Sequence, residues 1–109
     1  MDDVDTFKAV RRGLLEFAVL TCLSTGRLYA AEILGRLAGT PFATQEGTLY
    51  PLLGKLRRDG LLDHDWVESD SGPPRKYHRL TEQGVQRRVE LGTYWDRLGT
   101  TLQQLGATS

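Results

Sequence analysis

The stretch TQEGTLYPLLGKLRRDG, residues 44–60, decides the fold of this 109-residue chain. Thr44 is a suitable N-cap, and Gly60 suits the left-handed residue that follows a helix, so both ends of one helix are marked. Pro51 removes one backbone hydrogen bond from this helix unless the regular part starts near Tyr50, after a looser turn. Its apolar face consists of four leucines at helical spacing: Leu49, Leu52, Leu53 and Leu56.

Two further helices are predicted before this stretch. Apolar side chains recur at helical spacing over residues 5–24, with an interruption at Gly13, and again over residues 29–38. Residues 39–41 form a short loop between the second and third helices. Such a short connection is typical of the helix-turn-helix, in which the second helix of the pair is presented to the major groove of DNA.

A β-hairpin and a last helix are predicted after the stretch. Residues 62–68 and 75–80 alternate in the manner of strands, and the turn-rich residues 69–74 join them in a prominent tip. Thr81 is placed to cap a long final helix. The sequence therefore predicts a mainly α fold with a small β-hairpin, a winged helix-turn-helix followed by a C-terminal dimerisation helix.

The composition is that of an ordinary globular chain and does not by itself indicate a binding partner. Fourteen basic and fourteen acidic residues give a net charge of zero, so any affinity for nucleic acid depends on where the charges lie. No apolar run approaches the roughly 20 residues of a membrane-spanning helix. The acidic start of the sequence is unlike a secretory signal, and Cys22 is the only cysteine, so we expect a cytoplasmic protein without membrane association.

Two sequence blocks resemble the PadR family of transcriptional regulators. The first is Glu46-Gly47-Thr48-Leu49-Tyr50-Pro51-Leu52-Leu53 with Leu56 and Gly60-Leu61-Leu62, which is similar to that family's recognition helix and its exit. The second is Ser71-Gly72-Pro73-Pro74-Arg75-Lys76-Tyr77, followed by Arg79-Leu80-Thr81-Glu82 and Gly84, which resembles the wing and the start of the last helix. Arg12-Gly13-Leu14-Leu15-Glu16 resembles the motif of the first helix.

The resemblance extends over residues 12–84, with two departures. Ala30-Ala31 stands where the family often has Gly-Tyr, and His78 stands where it often has a second aromatic residue. Because only one helix follows the wing, the chain resembles the short subgroup, whose members dimerise through that helix. The resemblance implies a winged-helix DNA-binding domain over residues 1–80, whose first helix also contributes to the dimer, and a dimerisation helix over residues 81–109.

The expected DNA contacts fall on the third helix and the wing. Small side chains and backbone amides at a helix start can approach phosphates, Gln45 is suited to an adenine edge, and Lys55 to a phosphate. In the wing, two prolines precede the basic residues and keep the tip extended. The candidate DNA-binding residues are Thr44, Gln45, Gly47, Thr48, Tyr50, Lys55, Arg75, Lys76 and Tyr77.

The last helix carries a predicted dimer seam. Its apolar residues Leu91, Trp95, Leu98, Leu102 and Leu105 are spaced 4, 3, 4 and 3, which is a heptad pattern. The alternative is packing within one chain, but a helix that continues past the wing has little of its own domain to cover it. We therefore expect a homodimer, and two-fold symmetry predicts an inverted-repeat operator on double-stranded DNA.

A ligand pocket is a further candidate feature of the dimer. Trp95 near a two-fold axis could stack on a planar aromatic effector, with Tyr94, Phe7 and Phe17 beside it, although a tryptophan on such a seam also serves as plain interface core.

Enzymatic and metal-binding functions have little support in the sequence. It contains no phosphate-cradling glycine loop or nucleophile elbow, so no catalytic residues and no cofactor are predicted. His64 and His78 face each other across the predicted hairpin, but two histidines without paired cysteines do not indicate a metal site. The predicted function is that of a sequence-specific DNA-binding transcriptional regulator, a homodimeric repressor. The alternative is a winged-helix protein-interaction module without specific DNA binding.

Overall fold

A computed structural model describes residues 7–107 of the chain, with four helices and three strands in this range. The predicted order of elements is confirmed, and the start of the first helix near Asp5 lies outside the described residues. In chain order the elements are α1 (Lys8–Leu23), β1 (Leu28–Tyr29), α2 (Ala30–Leu37), α3 (Glu46–Arg58), β2 (Leu62–Ser69), β3 (Gly72–Leu80) and α4 (Glu82–Gly106).

The hydrophobic core lies between α1, α2, α3 and the base of the sheet. Only the C-terminal half of α1 contributes fully buried side chains, so its N-terminal half extends beyond the core. The leucines of α3 meet the core at intervals of three and four residues, as one face of a helix must. The buried apolar residues are Val19, Leu20, Leu23, Leu28, Ala30, Ile33, Leu37, Leu49, Leu53, Leu56, Leu61 and Leu62.

The start of α3 differs from the prediction in its N-cap. Gln45, with an extended backbone, is the N-cap in place of Thr44, and its carbonyl accepts a hydrogen bond of 2.9 Å from the amide of Leu49. Regular helix begins at Glu46 and passes through Pro51, so of the two alternatives for Pro51 the structure has the one in which a helical hydrogen bond is missing. The carbonyl that Pro51 leaves without its helical donor belongs to Gly47, which is exposed, so water can replace that donor.

The sheet has three strands, in the order β1-β3-β2, where a two-stranded hairpin was predicted. β1 pairs Tyr29 with Tyr77 and is only two residues long, which is too short for an alternating pattern to reveal it. The hairpin pairs as far as Ser69 with Gly72, so its tip is smaller than the predicted linker over residues 69–74. Both prolines belong to β3, where a register shift near the tip accommodates residues that cannot donate to the ladder.

The start of α4 is joined to the end of α3. Thr81 is the N-cap, as predicted: its hydroxyl accepts a hydrogen bond of 3.0 Å from the amide of Gly84 and donates one of 2.6 Å to the carbonyl of Gly60. The amide of Thr81 also donates to the carbonyl of Leu61, at 3.0 Å. From this junction α4 extends for 25 residues, roughly 37 Å, and the described chain reaches 63 Å in its longest dimension.

Replacing Gly84 by alanine is expected to lower the free energy of unfolding by about 2 kcal/mol, because overpacking a tight contact costs more than the helix propensity of alanine returns. A Cβ at Gly84 would overlap the backbone carbonyl of Leu61, which cannot yield as a flexible side chain does. Urea denaturation at matched protein concentration measures the change. The control is Gly99→Ala in the same helix, where the Cβ meets open space and stability should rise. Equal effects of the two substitutions would contradict the contact.

Candidate DNA interface

The first two turns of α3 form an exposed surface that carries most of the predicted base contacts. Gln45, Gly47 and Thr48 are exposed, and Thr44 is half-buried beside them. Thr44, Gln45 and Thr48 line one shallow cleft, so the structure brings these three predicted residues together. Tyr50 is also exposed, but it follows Thr48 by two residues, about 200° around the helix, and therefore points to the other side.

The face of α3 most remote from the core is nearly free of side chains. It carries Gly47, Pro51 and Gly54, which lie about half a turn away from the buried leucines. Another helix or strand does not cover this face, since Gly47 has open space where a Cβ would stand. Arg58 follows on the same face, and its Nη1 would lie 3.3 Å from a Cβ at Gly54. Arg58 is therefore a further candidate contact, which is absent from the set predicted from the sequence.

Lys55 lies on another side of α3 and is engaged in ion pairs. Its Nζ is 3.0 Å from Asp59 Oδ2 and 3.6 Å from Glu16 Oε1, and the hydrogen bond and charge of Asp59, with Glu16, raise the pKa of Lys55. Glu16 also pairs with Arg87 of α4, at 3.4 Å. A phosphate would have to compete with two carboxylates for Lys55, so its predicted DNA contact remains a prediction that the geometry does not favour.

Arg75 and Lys76 lie on opposite faces of the wing, because successive strand residues alternate. Arg75 stacks on the ring of Tyr29, with its guanidinium carbon 4.7 Å from the ring centre. Lys76 lies across the strand from Trp66, 5.9 Å from that ring. The predicted pair therefore presents one cation on each face, and Trp66, which is exposed, joins Lys76 as a candidate.

Tyr77 lies on the same face of the wing as Arg75. Its side chain is part of a stack in which aromatic rings and guanidinium groups alternate. Its ring meets the edge of Tyr29 at 5.3 Å, and the guanidinium of Arg27 lies 5.0 Å from its centre. Such contacts restrain both the rings and the cations. The half-buried Tyr77 thus supports the wing more than it offers a free contact, and Arg27 and Tyr29 are partners that no sequence pattern indicated.

Three of the six acidic residues of α3 and the wing are paired. Asp63 and Asp65 lie 3.1 and 3.3 Å from the guanidinium of Arg79, and Asp59 binds Lys55. Exposed pairs of this kind add little stability, but they cancel charge locally. The pairs engage Lys55 and Arg79 as the cations, so Arg75 and Lys76 of the wing are not among the basic residues that these carboxylates neutralise.

The predicted histidine pair is present on the core side of the hairpin. His64 and His78 are cross-strand partners, with ring centres 6.5 Å apart. Burial, with the positive charges of Lys76 and His64, lowers the pKa of His78 to about 4. Burial also lowers the pKa of His64. Among residues 7–107 no third His, Cys, Asp or Glu joins the two in a metal-binding group.

Stability should fall as the pH decreases through the range set by His78. Its folded pKa of about 4 lies below the ordinary value of 6.5, so the unfolded chain binds a proton that the folded chain does not. The contribution of His78 to the free energy of unfolding is then fully present above pH 6.5. It decreases toward pH 4, by at most about 1.4 kcal/mol per pH unit. Urea denaturation between pH 7 and 5, where carboxylates titrate little, measures the slope. His78→Phe should flatten it; an unchanged slope would exclude His78 as its source.

A groove between α1 and α4 contains most of the predicted ligand-pocket residues. Trp95, Tyr94 and Phe17 line it, and it continues past Trp95 into an open apolar groove of about 530 Å³ that reaches Phe42. Phe7 lines neither part, because it lies at the other end of α1, ten residues or roughly 15 Å before Phe17.

The predicted dimer seam becomes more exposed along α4. Leu91 packs against the core, whereas the exposed fractions are 48% for Trp95, 38% for Leu98, 68% for Leu102 and 67% for Leu105. Within the described range nothing from the same chain covers the last two leucines. Exposed leucines at heptad spacing are costly to leave in water and are typical of a helix that has a partner.

This arrangement, a helix-turn-helix followed by a three-stranded wing and a projecting helix, defines a winged-helix transcriptional regulator. The Transcriptional regulator PadR-like family model matches residues 19–90, and the chain belongs to that family. The expectation drawn from residues 44–60 and the wing is confirmed. The family comprises regulators and not enzymes.

Solved structures agree with this assignment. The chain is 39% identical to a PadR-like transcription factor from Bacteroides fragilis, covering 95% of this chain and 99% of the other, with a TM-score of 0.79. It is 31% identical to a PadR family transcriptional regulator from Eggerthella lenta, covering 96% and 92%, with a TM-score of 0.84. A PadR-like transcriptional regulator from Bacillus cereus is 30% identical, covering 90% and 96%, with a TM-score of 0.76. No curated protein matches the chain significantly.

Every helix within residues 7–107 is too short or too polar to span a membrane.

Proposed function

We propose that the protein is a homodimeric repressor that binds an inverted-repeat operator through α3 and the wing. The observation that carries the proposal is the surface of α3: its first turns are exposed, and its outward face bears Gly47 in place of a larger side chain. Asp59, at the end of the helix, is paired with Lys55. A backbone without side chains can approach the floor of the major groove closely, while Gln45 and Thr48 supply groups for base edges.

The proposal of a dimer is supported by the exposed apolar seam of α4. Two copies that pair Leu98, Leu102 and Leu105 remove three exposed leucines per chain from water, each worth roughly 1.5–3 kcal/mol when fully buried. Residues 81–109 thus act as the dimerisation unit and residues 1–80 as the DNA-binding unit. Two-fold symmetry places the two copies of α3 on half-sites about one helical turn apart, and occupation of such a site blocks access to a promoter.

A planar aromatic effector fits the groove beside Trp95. The groove is apolar and adjoins the seam, so a ligand stacked on Trp95 also touches the region where the second copy packs. A ligand that prefers one spacing of the two subunits changes operator affinity by its differential affinity for the two arrangements, and the coupling is reciprocal.

Selection of bound fragments from genomic DNA, followed by binding at several salt concentrations, tests the proposal. A DNA-binding protein must show a steep negative slope of log K against log salt. Arg75→Ala should weaken binding to operator and random duplex alike and reduce the slope by about 1.8, because one contact is lost in each subunit. Gln45→Ala should instead cost about 1–3 kcal/mol at each half-site of the operator only. Absence of any salt-dependent binding would favour the protein-interaction module that the net charge of zero permits.

Titration with planar dyes tests the effector. Binding should quench the fluorescence of Trp95, with Trp66 in the wing unaffected, and should be lost in Trp95→Ala while that variant remains a DNA-binding dimer. If no compound binds, or if the variant dissociates, Trp95 belongs to the interface core and the effector proposal fails.

A further inference from the structure

A basic groove lies beside the predicted base-contacting surface, on an element that supplies none of the candidate DNA contacts. The N-terminal half of α1 passes over the loop before α3, and the groove between them holds Lys8, Arg11 and Arg12 on one wall and Thr44, Gln45 and Thr48 on the other. We call this the α1 basic groove. Its lining contains three cations and no carboxylate.

The position of these cations on α1 is unusual. Lys8, Arg11 and Arg12 precede Leu15 by seven, four and three residues, so all four share one face of the helix. Leu15 packs toward the hydrophobic core, whereas the cations occupy the same face where α1 extends beyond the core. The side chains therefore point toward α3 and not outward into solvent in all directions.

Two of the cations lack an anionic partner within the described chain. Over residues 7–107, neither Lys8 nor Arg12 lies within ion-pairing distance of a carboxylate, while Lys55, Arg79 and Arg87 all do. Both side chains are exposed, so neither is needed to hold the core together. Unpaired cations directed at one groove favour an anion that enters from outside.

We propose that the α1 basic groove binds the phosphate backbone of DNA, on the strand that flanks the base pairs contacted by α3. The inference rests on the proposed function and adds a contact from a third element. The groove and the α3 surface share Thr44, Gln45 and Thr48, so a duplex seated on α3 carries its backbone past Lys8 and Arg12. Phosphate contacts position a duplex without reading its sequence. The groove therefore fixes the register in which Gln45 meets the bases.

The test uses the full chain with the selected operator duplex and a random duplex of equal length. Each of Lys8→Gln and Arg12→Gln removes two phosphate contacts from the dimer, one per subunit, and should reduce the slope of log K against log salt by about 1.8. Both duplexes should be weakened alike, by roughly threefold to tenfold per contact. The matched control is Arg97→Gln, which removes one charge from α4 outside the groove and should leave the slope unchanged. Thermal melting checks that each variant is folded.

Neutral methylphosphonate linkages locate the contact on the DNA. A linkage on the flanking strand should weaken binding of the wild type but have no further effect in Arg12→Gln. If the wild type binds with a steep slope and the α1 variants match Arg97→Gln, the groove inference is wrong and the DNA-binding function stands. A loss confined to the operator would also overturn it, since a phosphate contact is independent of sequence. If the wild type itself binds no duplex, the proposed function fails.

Discussion

Replacing Leu98 and Leu102 by aspartate is expected to yield a folded monomer whose operator affinity is at least about a hundredfold lower, since linked half-site binding contributes factors of 10²–10⁴. Both leucines are exposed in the single chain, so the substitutions leave its core intact. In a symmetric dimer they would place four carboxylates in one apolar seam, and burying unpaired charges costs several kcal/mol each. Sedimentation equilibrium measures the assembly, and operator binding measures the consequence.

The control is the pair Val85→Asp and Val89→Asp in the same helix. Both valines are exposed, and Val89 lies nine residues before Leu98, half a turn out of phase with the seam. This variant should remain a dimer. A dimeric Leu98→Asp, Leu102→Asp protein, or a folded dimer after truncation at Gly92, would show that the seam does not hold the subunits together.

Gly47→Glu should abolish binding to both operator and random DNA, with at least a hundredfold loss, which corresponds to about 2.7 kcal/mol. The position faces outward from α3 with open space around its missing Cβ, so a glutamate is accommodated there without a clash. A carboxylate in the first turn also suits the positive end of the helix, so stability should not decrease. The same carboxylate would meet the phosphates and fill the space that a close approach requires.

Gly35→Glu in α2 provides the comparison for this substitution. It also adds a glutamate at an exposed helical glycine with open space around it. Fluorescence anisotropy with labelled duplexes measures both variants, and urea denaturation confirms that both are folded. Similar losses in the two proteins would indicate a general effect of charge, and the outward face of α3 would no longer be the candidate interface.

The features that could be predicted from the sequence are those written in local patterns. The leucines of α3 have a period that only a helix satisfies, and Thr81 precedes the last helix with a cap that needs no distant partner. The start of α3 was misplaced by one residue, because Gln45 and Thr44 both allow an extended backbone and only the observed hydrogen bond from Leu49 distinguishes them.

The features that the sequence did not reveal depend on distant residues. Tyr29 pairs with Tyr77 and carries Arg75 on its ring, a contact between residues 46 positions apart that no periodicity records. Lys8 and Arg12 lie beside Thr44 only in the folded chain, because more than 30 positions separate them from it in the sequence. Lys55 resembled a phosphate contact, and its ion pair with Glu16 became visible only when α1 and α3 were packed together.

The junction at Thr81 joins the end of α3 and the start of α4 into one rigid unit. Hydrogen bonds from Thr81 to Gly60 and Leu61, the close contact at Gly84 and the Glu16 ion pairs leave little play between the helices. In the proposed dimer α4 then works as a lever about the two-fold axis: a rotation of 10° over a helix of roughly 37 Å moves its far end by roughly 6 Å. That displacement exceeds the rise of one base pair. A small separation of the two copies of α4 at the seam is therefore enough to move the two copies of α3 out of register with their half-sites.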